Sequence, residues 1–342
     1  MTGAAALLLA GCSGQDVSGR DVAEADGGAP AVERAEAVRP ASTLEKAAQA
    51  EADTRRRERE PRIPALSSIA EPRLTSVPVT DTMDVLTGPG GNVAVLYGEE
   101  GALLVDDKFA EDADEILARV GQRGNALPLY VLNTHYHGDH TGSNARMKAV
   151  GALVVAQEGA RDLITRDIEN ELFGRTVEAR PQDAPQLTFT EGMTLDFAGE
   201  TVRLIYVPNA HTGGDSLIHF EGSDVLHMGD NFFNGMFPYI DIDSGGSLEG
   251  MIAAQGAGVR LSDADTVVIP GHGPVTDRSG LEESYDRLVD IRDRMQARID
   301  AGDTLEEILE ADIYADYGMD GGFINNERMA RIAYRSLSES QP

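Results

Sequence analysis

Asn133-Thr134-His135-Tyr136-His137-Gly138-Asp139-His140-Thr141-Gly142 places three histidines and an aspartate within six positions, in a chain of 342 residues that holds seven histidines. A loop of merely hydrogen-bonded polar residues would not gather so scarce a residue type so tightly. Imidazole and carboxylate donors converging on one loop suit a transition metal, zinc first. Upstream, Leu127–Asn133 is a short apolar run; downstream, Ser143–Val150 has helical spacing. The motif therefore falls where a strand ends and the chain turns into a helix. Histidines two apart on an extended segment point to the same side, so His135 and His137 can share one ion. Asp139 and His140 follow Gly138 in the turn and can face a second.

Outward from this point the pattern is one of alternating strands and helices. Val93–Tyr97 and Ala102–Asp106 flank Gly98-Glu99-Glu100-Gly101 and read as a hairpin. Asp112–Val120 has helical spacing, and Leu153–Ala156 is a further strand. More strands are expected at Leu187–Thr190, Met193–Phe197, Thr201–Val207, Asp215–Phe220, Val225–Met228 and Val267–Pro270, with helices over about 247–257, 279–300, 304–311 and 325–337. Such an order predicts an α/β fold in which sheets are covered by helices on both outer faces. Leu288, Ile291 and Met295 recur at helical spacing and read as packing rather than a dimer face. The oligomeric state stays open.

Three further candidate ligands stand in glycine-rich turns that follow strand-like runs. His211 lies in Asn209-Ala210-His211-Thr212-Gly213-Gly214, Asp230 in Gly229-Asp230-Asn231, and His272 in Pro270-Gly271-His272-Gly273-Pro274. Singly, each is an ordinary turn residue. Together with residues 135–140 they complete two coordination shells. His219 and His227 lie inside strand patterns and read as core or surface histidines. Asp106, which ends a strand just before the site, is expected to orient a ligand from behind.

These elements in this order resemble the metallo-β-lactamase superfamily over roughly residues 80–280. The resemblance implies an αβ/βα four-layer sandwich, two mixed sheets flanked by helices, with a dinuclear site at one edge. It implies one metal on His135, His137 and His211, a second on Asp139, His140 and His272, and Asp230 between them, Asp139 being also the catalytic carboxylate. The implied cofactor is two Zn2+, with iron or manganese left open. The implied reaction is attack of metal-activated water on an amide or ester carbonyl of a small-molecule substrate. Zinc β-lactamases of that superfamily usually carry Cys or Ser where this chain has Asp230, whereas thioesterases of the glyoxalase II kind and lactonases carry Asp. An exported enzyme nonetheless meets β-lactams, so a β-lactam is the first expected substrate and a lactone or thioester the alternative. A mononuclear iron persulfide dioxygenase is the alternative from another class. Asn231 and Asn234 are expected as neutral donors to substrate, and Phe233 and Phe237, beside Phe232 and Met236, as an apolar wall.

Composition narrows the partners. Asp plus Glu total 58 against 29 Lys plus Arg, a net charge of −29. Residues 13–75 are nearly balanced, with 12 acids and 10 bases, so the acidity belongs to the body. A surface of that sign repels nucleic acid and anionic membranes. The single cysteine, Cys12, excludes disulfides within the chain and thiolate zinc sites. It follows the apolar run Met1–Gly11, and Leu9-Ala10-Gly11-Cys12 resembles a bacterial lipobox. The expectation is therefore a signal segment over 1–12, lipidation at Cys12, and a periplasmic domain touching the membrane only through that anchor. Residues 13–75, rich in Ala, Glu, Arg, Asp and Pro, read as a disordered tether, and 76–342 as the hydrolase domain with C-terminal helices.

Overall fold

Continuous apolar runs build the centre of the first sheet; residues two apart in a strand share a face, and here both faces are buried. The computed structural model describes residues 63–123 and 126–339. Its first seven strands are β1 (Thr75–Pro78), β2 (Met83–Thr87), β3 (Val93–Tyr97), β4 (Ala102–Val105), β5 (Pro128–Leu132), β6 (Leu153–Gln157) and β7 (Ile168–Asn170). β8 (Arg175–Val177) pairs with β7 alone in a separate hairpin, and β9 (Leu187–Phe189) joins β6 at the edge of a seven-stranded sheet of order β1-β2-β3-β4-β5-β6-β9. β1 to β4 run antiparallel, whereas β4, β5, β6 and β9 are parallel. Parallel neighbours need crossovers. α1 (Ala113–Gln122) supplies the one before β5, and α2 (Gly138–Thr141) with α3 (Asn144–Ala149) the one before β6; α4 (Glu158–Ile164) follows β6.

The second sheet has six strands, β10 (Gly192–Phe197), β11 (Glu200–Val207), β12 (Asp215–Phe220), β13 (Val225–His227), β14 (Val267–Ile269) and β15 (Thr276–Asp277), in that order. Only β13 and β14 are parallel, joined through α5 (Leu248–Leu261). The chain ends in α6 (Arg278–Asp300), α7 (Leu305–Ala311) and α8 (Asn326–Glu339).

Strand alternation sorts the core into layers. Met83, Val85, Ala94, Leu96, Leu103 and Val105 meet Phe197, Val202, Leu204, Ile218 and Phe220 between the sheets. Leu86, Val93, Val95 and Leu104 point the other way, against Ile116 and Leu117 of α1 and Met147 of α3. On the far side Leu217, Leu226 and Val268 pack on Ala254 of α5 and Leu281 of α6. The result is helix, sheet, sheet, helix. Leu288, Ile291 and Met295 are buried with Met329 and Ala333 of α8 and with Phe233 to Ile240, so this α6 stripe is packing within the chain.

Several features depart from the sequence reading, which also left β2, α4 and β15 unanticipated. β1 went unanticipated because all four of its residues are exposed and one is Pro78, which leaves no alternation to detect. The β7–β8 hairpin is too short and polar to show a period. Packing also starts upstream of the boundary expected at residue 75: Leu74 is buried, Ile63 packs beneath α1, and the Arg73 amide donates to Glu115 Oε2. The expected signal segment, Cys12 and the tether up to residue 62 lie outside the described residues.

Candidate metal centre and active site

Seven donors from four loops gather at one edge of the sandwich. The loop after β5 brings His135 and His137, and its continuation in α2 brings Asp139 and His140. His211 comes from the β11–β12 connection, Asp230 from the turn after β13, and His272 from the turn after β14. His135, His137, His211 and Asp230 offer donor atoms all within 4.8 Å of one another, and so do Asp139, His140 and His272. Asp230 lies between the groups. Its Oδ2 is 3.8 Å from His135 Nε2, 3.6 Å from His211 Nε2 and 3.4 Å from His272 Nε2, and its Oδ1 is 3.0 Å from His140 Nε2. The close approach requires glycine opposite it: a Cβ on Gly271 would stand 2.1 Å from Asp230 Oδ1.

The rings are aimed from behind. The Thr134 amide and hydroxyl both donate to the buried Asp106 carboxylate, at 2.7 Å each. Having donated, the Thr134 hydroxyl oxygen is left to accept from His135 Nδ1 at 3.0 Å. Asp106 Oδ2 also accepts from His140 Nδ1, at 2.7 Å. The Tyr239 carbonyl accepts from His211 Nδ1 at 2.8 Å. His137 is reversed: its Nε2 donates to Asp241 Oδ2 at 3.0 Å, and its Nδ1 faces the site. Tyr136 Oη and Ser244 Oγ, donating to the same Asp241 oxygen at 2.7 Å each, hold that carboxylate in place.

These partners fix the tautomers, and the tautomers test whether a cation belongs here. A carbonyl or a carboxylate can only accept, so His211 Nε2, His137 Nδ1 and His140 Nε2 are lone pairs in the neutral rings, as is His135 Nε2. His211 Nε2 and His137 Nδ1 are 2.8 Å apart, and His135 Nε2 is 3.1 Å from His137 Nδ1. Lone pairs at that distance repel unless a positive charge stands among them. Asp230 Oδ1 is buried and receives no hydrogen bond, a second sign of the same kind. The donor set fits two transition-metal ions.

Electrostatics agree. Burial pushes His211 down to about 4 and His135 well below its ordinary value, favouring neutral imidazoles that can coordinate. Without a cation the carboxylates draw a proton instead: burial lowers His140, but Asp230 and Asp139 hold it well above its ordinary value, and the resulting charges of His140 and His272 outweigh burial and hold Asp230 well below its usual range. His272 is raised to about 9: burial opposes this, and Asp230 and Asp139 overcome it. The two carboxylates thus draw positive charge to this spot, whether proton or cation.

The centre opens into a cavity of about 820 Å3. His137, Asp139, Asp230 and His272 form its floor; Phe233, Met236, Phe237 and Tyr239 line one wall. Phe233 stacks on His272, with ring centroids 5.1 Å apart. The expected apolar wall is therefore made by Phe233, Met236 and Phe237, while Phe232 is buried under the second sheet. Neither of the two asparagines expected as substrate donors lines the cavity. Asn231 is buried, with its amide donating to the Met228 carbonyl, and Asn234 donates to the Pro274 carbonyl outside the cavity. Both steady turns rather than line the pocket. His227 is a buried core residue whose Nε2 donates to the Asn92 carbonyl. Sequence reasoning missed Asp241, Tyr136 and Tyr239, none of which carries a spacing signal.

Residues 86–298 match the family model described as the metallo-beta-lactamase superfamily. A hydroxyacylglutathione hydrolase from Gloeobacter violaceus is 33% identical over 134 residues, which cover 39% of this chain and 45% of that protein. The lactamase-like protein aptB of Emericella nidulans is 28% identical over 208 residues, 57% of this chain and 59% of that protein. The chain spans about half the length of the curated relatives it matches. Among solved structures, a metallo-beta-lactamase from Pontibacter korlensis overlays with a TM-score of 0.51 at 19% identity, covering 63% of this chain and 99% of that one. At that identity the likeness concerns the fold.

Proposed function

We propose, for a chain that belongs to the metallo-beta-lactamase superfamily, a metal-dependent hydrolase of acyl bonds in small molecules. The observation that carries the reading is the cluster of lone pairs, His211 Nε2 and His137 Nδ1 at 2.8 Å, beside the orphaned Asp230 Oδ1. His135, His137 and His211 would hold one ion, Asp139, His140 and His272 the other, and Asp230 would reach both; zinc is the first choice for such nitrogen and oxygen donors. Two such ions, when bound, lower the pKa of a shared water and polarise a carbonyl. Asp106, Thr134, Asp241 and the Tyr239 carbonyl keep the four rings in the required tautomers while this happens. Asp139, partly exposed on the cavity floor with Oδ2 turned to His272 at 3.2 Å, would hold its ion through that oxygen and leave Oδ1 to accept a proton from water. The aromatic wall keeps bulk water off the acyl group.

A β-lactam is the first substrate in this reading, supported by an open cavity with one apolar wall and by the expected export through Cys12. A thioester is the second, favoured by relatives named hydroxyacylglutathione hydrolase. Zinc-loaded protein assayed on a penicillin, a carbapenem, a homoserine lactone and a glutathione thioester should turn over at least one. Chelation, His137→Ala or Asp139→Ala should reduce that rate by about a hundredfold or more. Activity that persists in metal-free protein overturns the reading. One iron per chain with oxygen uptake would move it to a persulfide dioxygenase.

A further inference from the structure

The mouth of the cavity is built from two segments that the hydrolytic chemistry does not use. Phe173 sits at the turn of the β7–β8 hairpin, and Phe323 comes from the loop before α8; both line the cavity. Their rings stack with centroids 5.1 Å apart, and Phe323, at 60% exposed, is the most exposed large apolar side chain among the described residues. An aromatic left that open costs hydration free energy unless something covers it. Tyr239 continues the surface inward, 5.4 Å from Phe173 and 6.2 Å from Phe323. The rings thus form a continuous apolar track from the mouth to the residue whose carbonyl holds His211.

Two guanidinium groups converge on the same ring. Arg175 lies 5.6 Å and Arg328 5.4 Å from the Phe173 centroid. Arg328 also donates to the Phe323 carbonyl at 2.6 Å, which ties the loop down. Arg180, the other arginine on the cavity wall, is committed to the Tyr136 carbonyl, the Thr141 hydroxyl and Asp183. Arg175 makes no ion pair among the described residues, although the chain carries 58 acidic side chains, and Glu178 on the same wall leaves it unpaired. An unpaired guanidinium beside an aromatic face, exposed at the rim of a cavity, is a receptor for a carboxylate attached to an apolar group.

We propose that Phe173, Phe323 and Arg175 form a specificity mouth selecting substrates that carry an aryl group and a carboxylate away from the scissile bond. The proposal rests on the cavity being the substrate site. Phe323 covers the aryl group, Phe173 stacks beneath it, and Arg175 meets the carboxylate.

Binding of three small probes to the metal-loaded protein, followed by NMR titration, tests this without turnover. N-phenylacetylglycine carries both features, N-acetylglycine only the carboxylate, and N-phenylacetylglycinamide only the ring. The first should bind best. Phe323→Ala should weaken it about tenfold, to the level of N-acetylglycine, the size expected for losing one aromatic contact surface. Arg175→Gln should weaken both carboxylates about tenfold and spare the amide, and Arg175→Lys should keep most of the preference. Equal affinity for all three probes overturns the proposal. So does a carboxylate preference that vanishes on metal removal yet survives Arg175→Gln. If no acyl compound is hydrolysed but these differences hold, the hydrolase reading fails and the mouth stands; hydrolysis with both variants indistinguishable from the parent gives the reverse.

Discussion

Four of the five imidazoles at the centre present a chosen nitrogen because something behind each accepts from the other. Asp241 is the sharpest case, since it alone turns His137 so that Nδ1 faces inward while His135 and His211 offer Nε2. Asp241→Asn should weaken metal binding about 10–100-fold, the range seen when a partner behind a ligating histidine is lost. Titration with zinc against a competing chelator measures it, and an unchanged affinity for both ions would remove Asp241 from the metal centre. The seven donors could be read from sequence because histidine is scarce and the glycine-rich turns after strands announce them. Asp241 could not. It is one aspartate among 58 acidic residues, 104 positions from the ring it orients. The two misread asparagines teach the same point, for adjacency to Asp230 in the chain says nothing about which way an amide turns. Asn231 turns back to the Met228 carbonyl because the residue is buried and its N–H groups need an acceptor there.

Elements were legible where a period was strong. β3, β4 and β11 alternate or run apolar, and α6 and α8 carry helical stripes, so their positions follow from side-chain direction alone. β1 and the β7–β8 hairpin lack that signal, the first because it is an exposed edge and the second because three-residue strands cannot show a period. That hairpin nevertheless supplies the mouth, so a specificity element escaped the pattern that revealed the scaffold. The α6 stripe packs behind the cavity wall. Leu288, Ile291 and Met295 back the 233–240 segment whose Phe233 and Tyr239 line the cavity. Leu288→Ala should lower stability by about 2–5 kcal/mol in a urea titration, as expected for a buried leucine in a well-filled core. A loss below about 1 kcal/mol would mean that the site is not closely packed within the chain.

At the scale of the whole molecule, the two sheets and their flanking helices carry four loops to one edge, and the metal donors come from all four. The body is strongly acidic, so its long-range field works against anionic substrates, and local groups such as Arg175 must supply the attraction. No helix among the described residues is long and apolar enough to cross a membrane. Attachment is instead proposed through Cys12 and the segment that follows it. A Cys12→Ala variant expressed in a Gram-negative host should move from the membrane fraction to the soluble fraction; retention at the membrane would exclude the lipid anchor. By itself the sequence determined the candidate metal donors, their order along the chain and the layered α/β class, since these depend on residue type, local spacing and strand or helix periodicity. Only the tertiary structure decided which nitrogen each histidine presents, which carboxylates stand behind them and which rings close the mouth. Those choices are contacts between segments up to 150 residues apart, as from Phe173 to Phe323, and side-chain direction there is set by packing across layers rather than by neighbours along the chain.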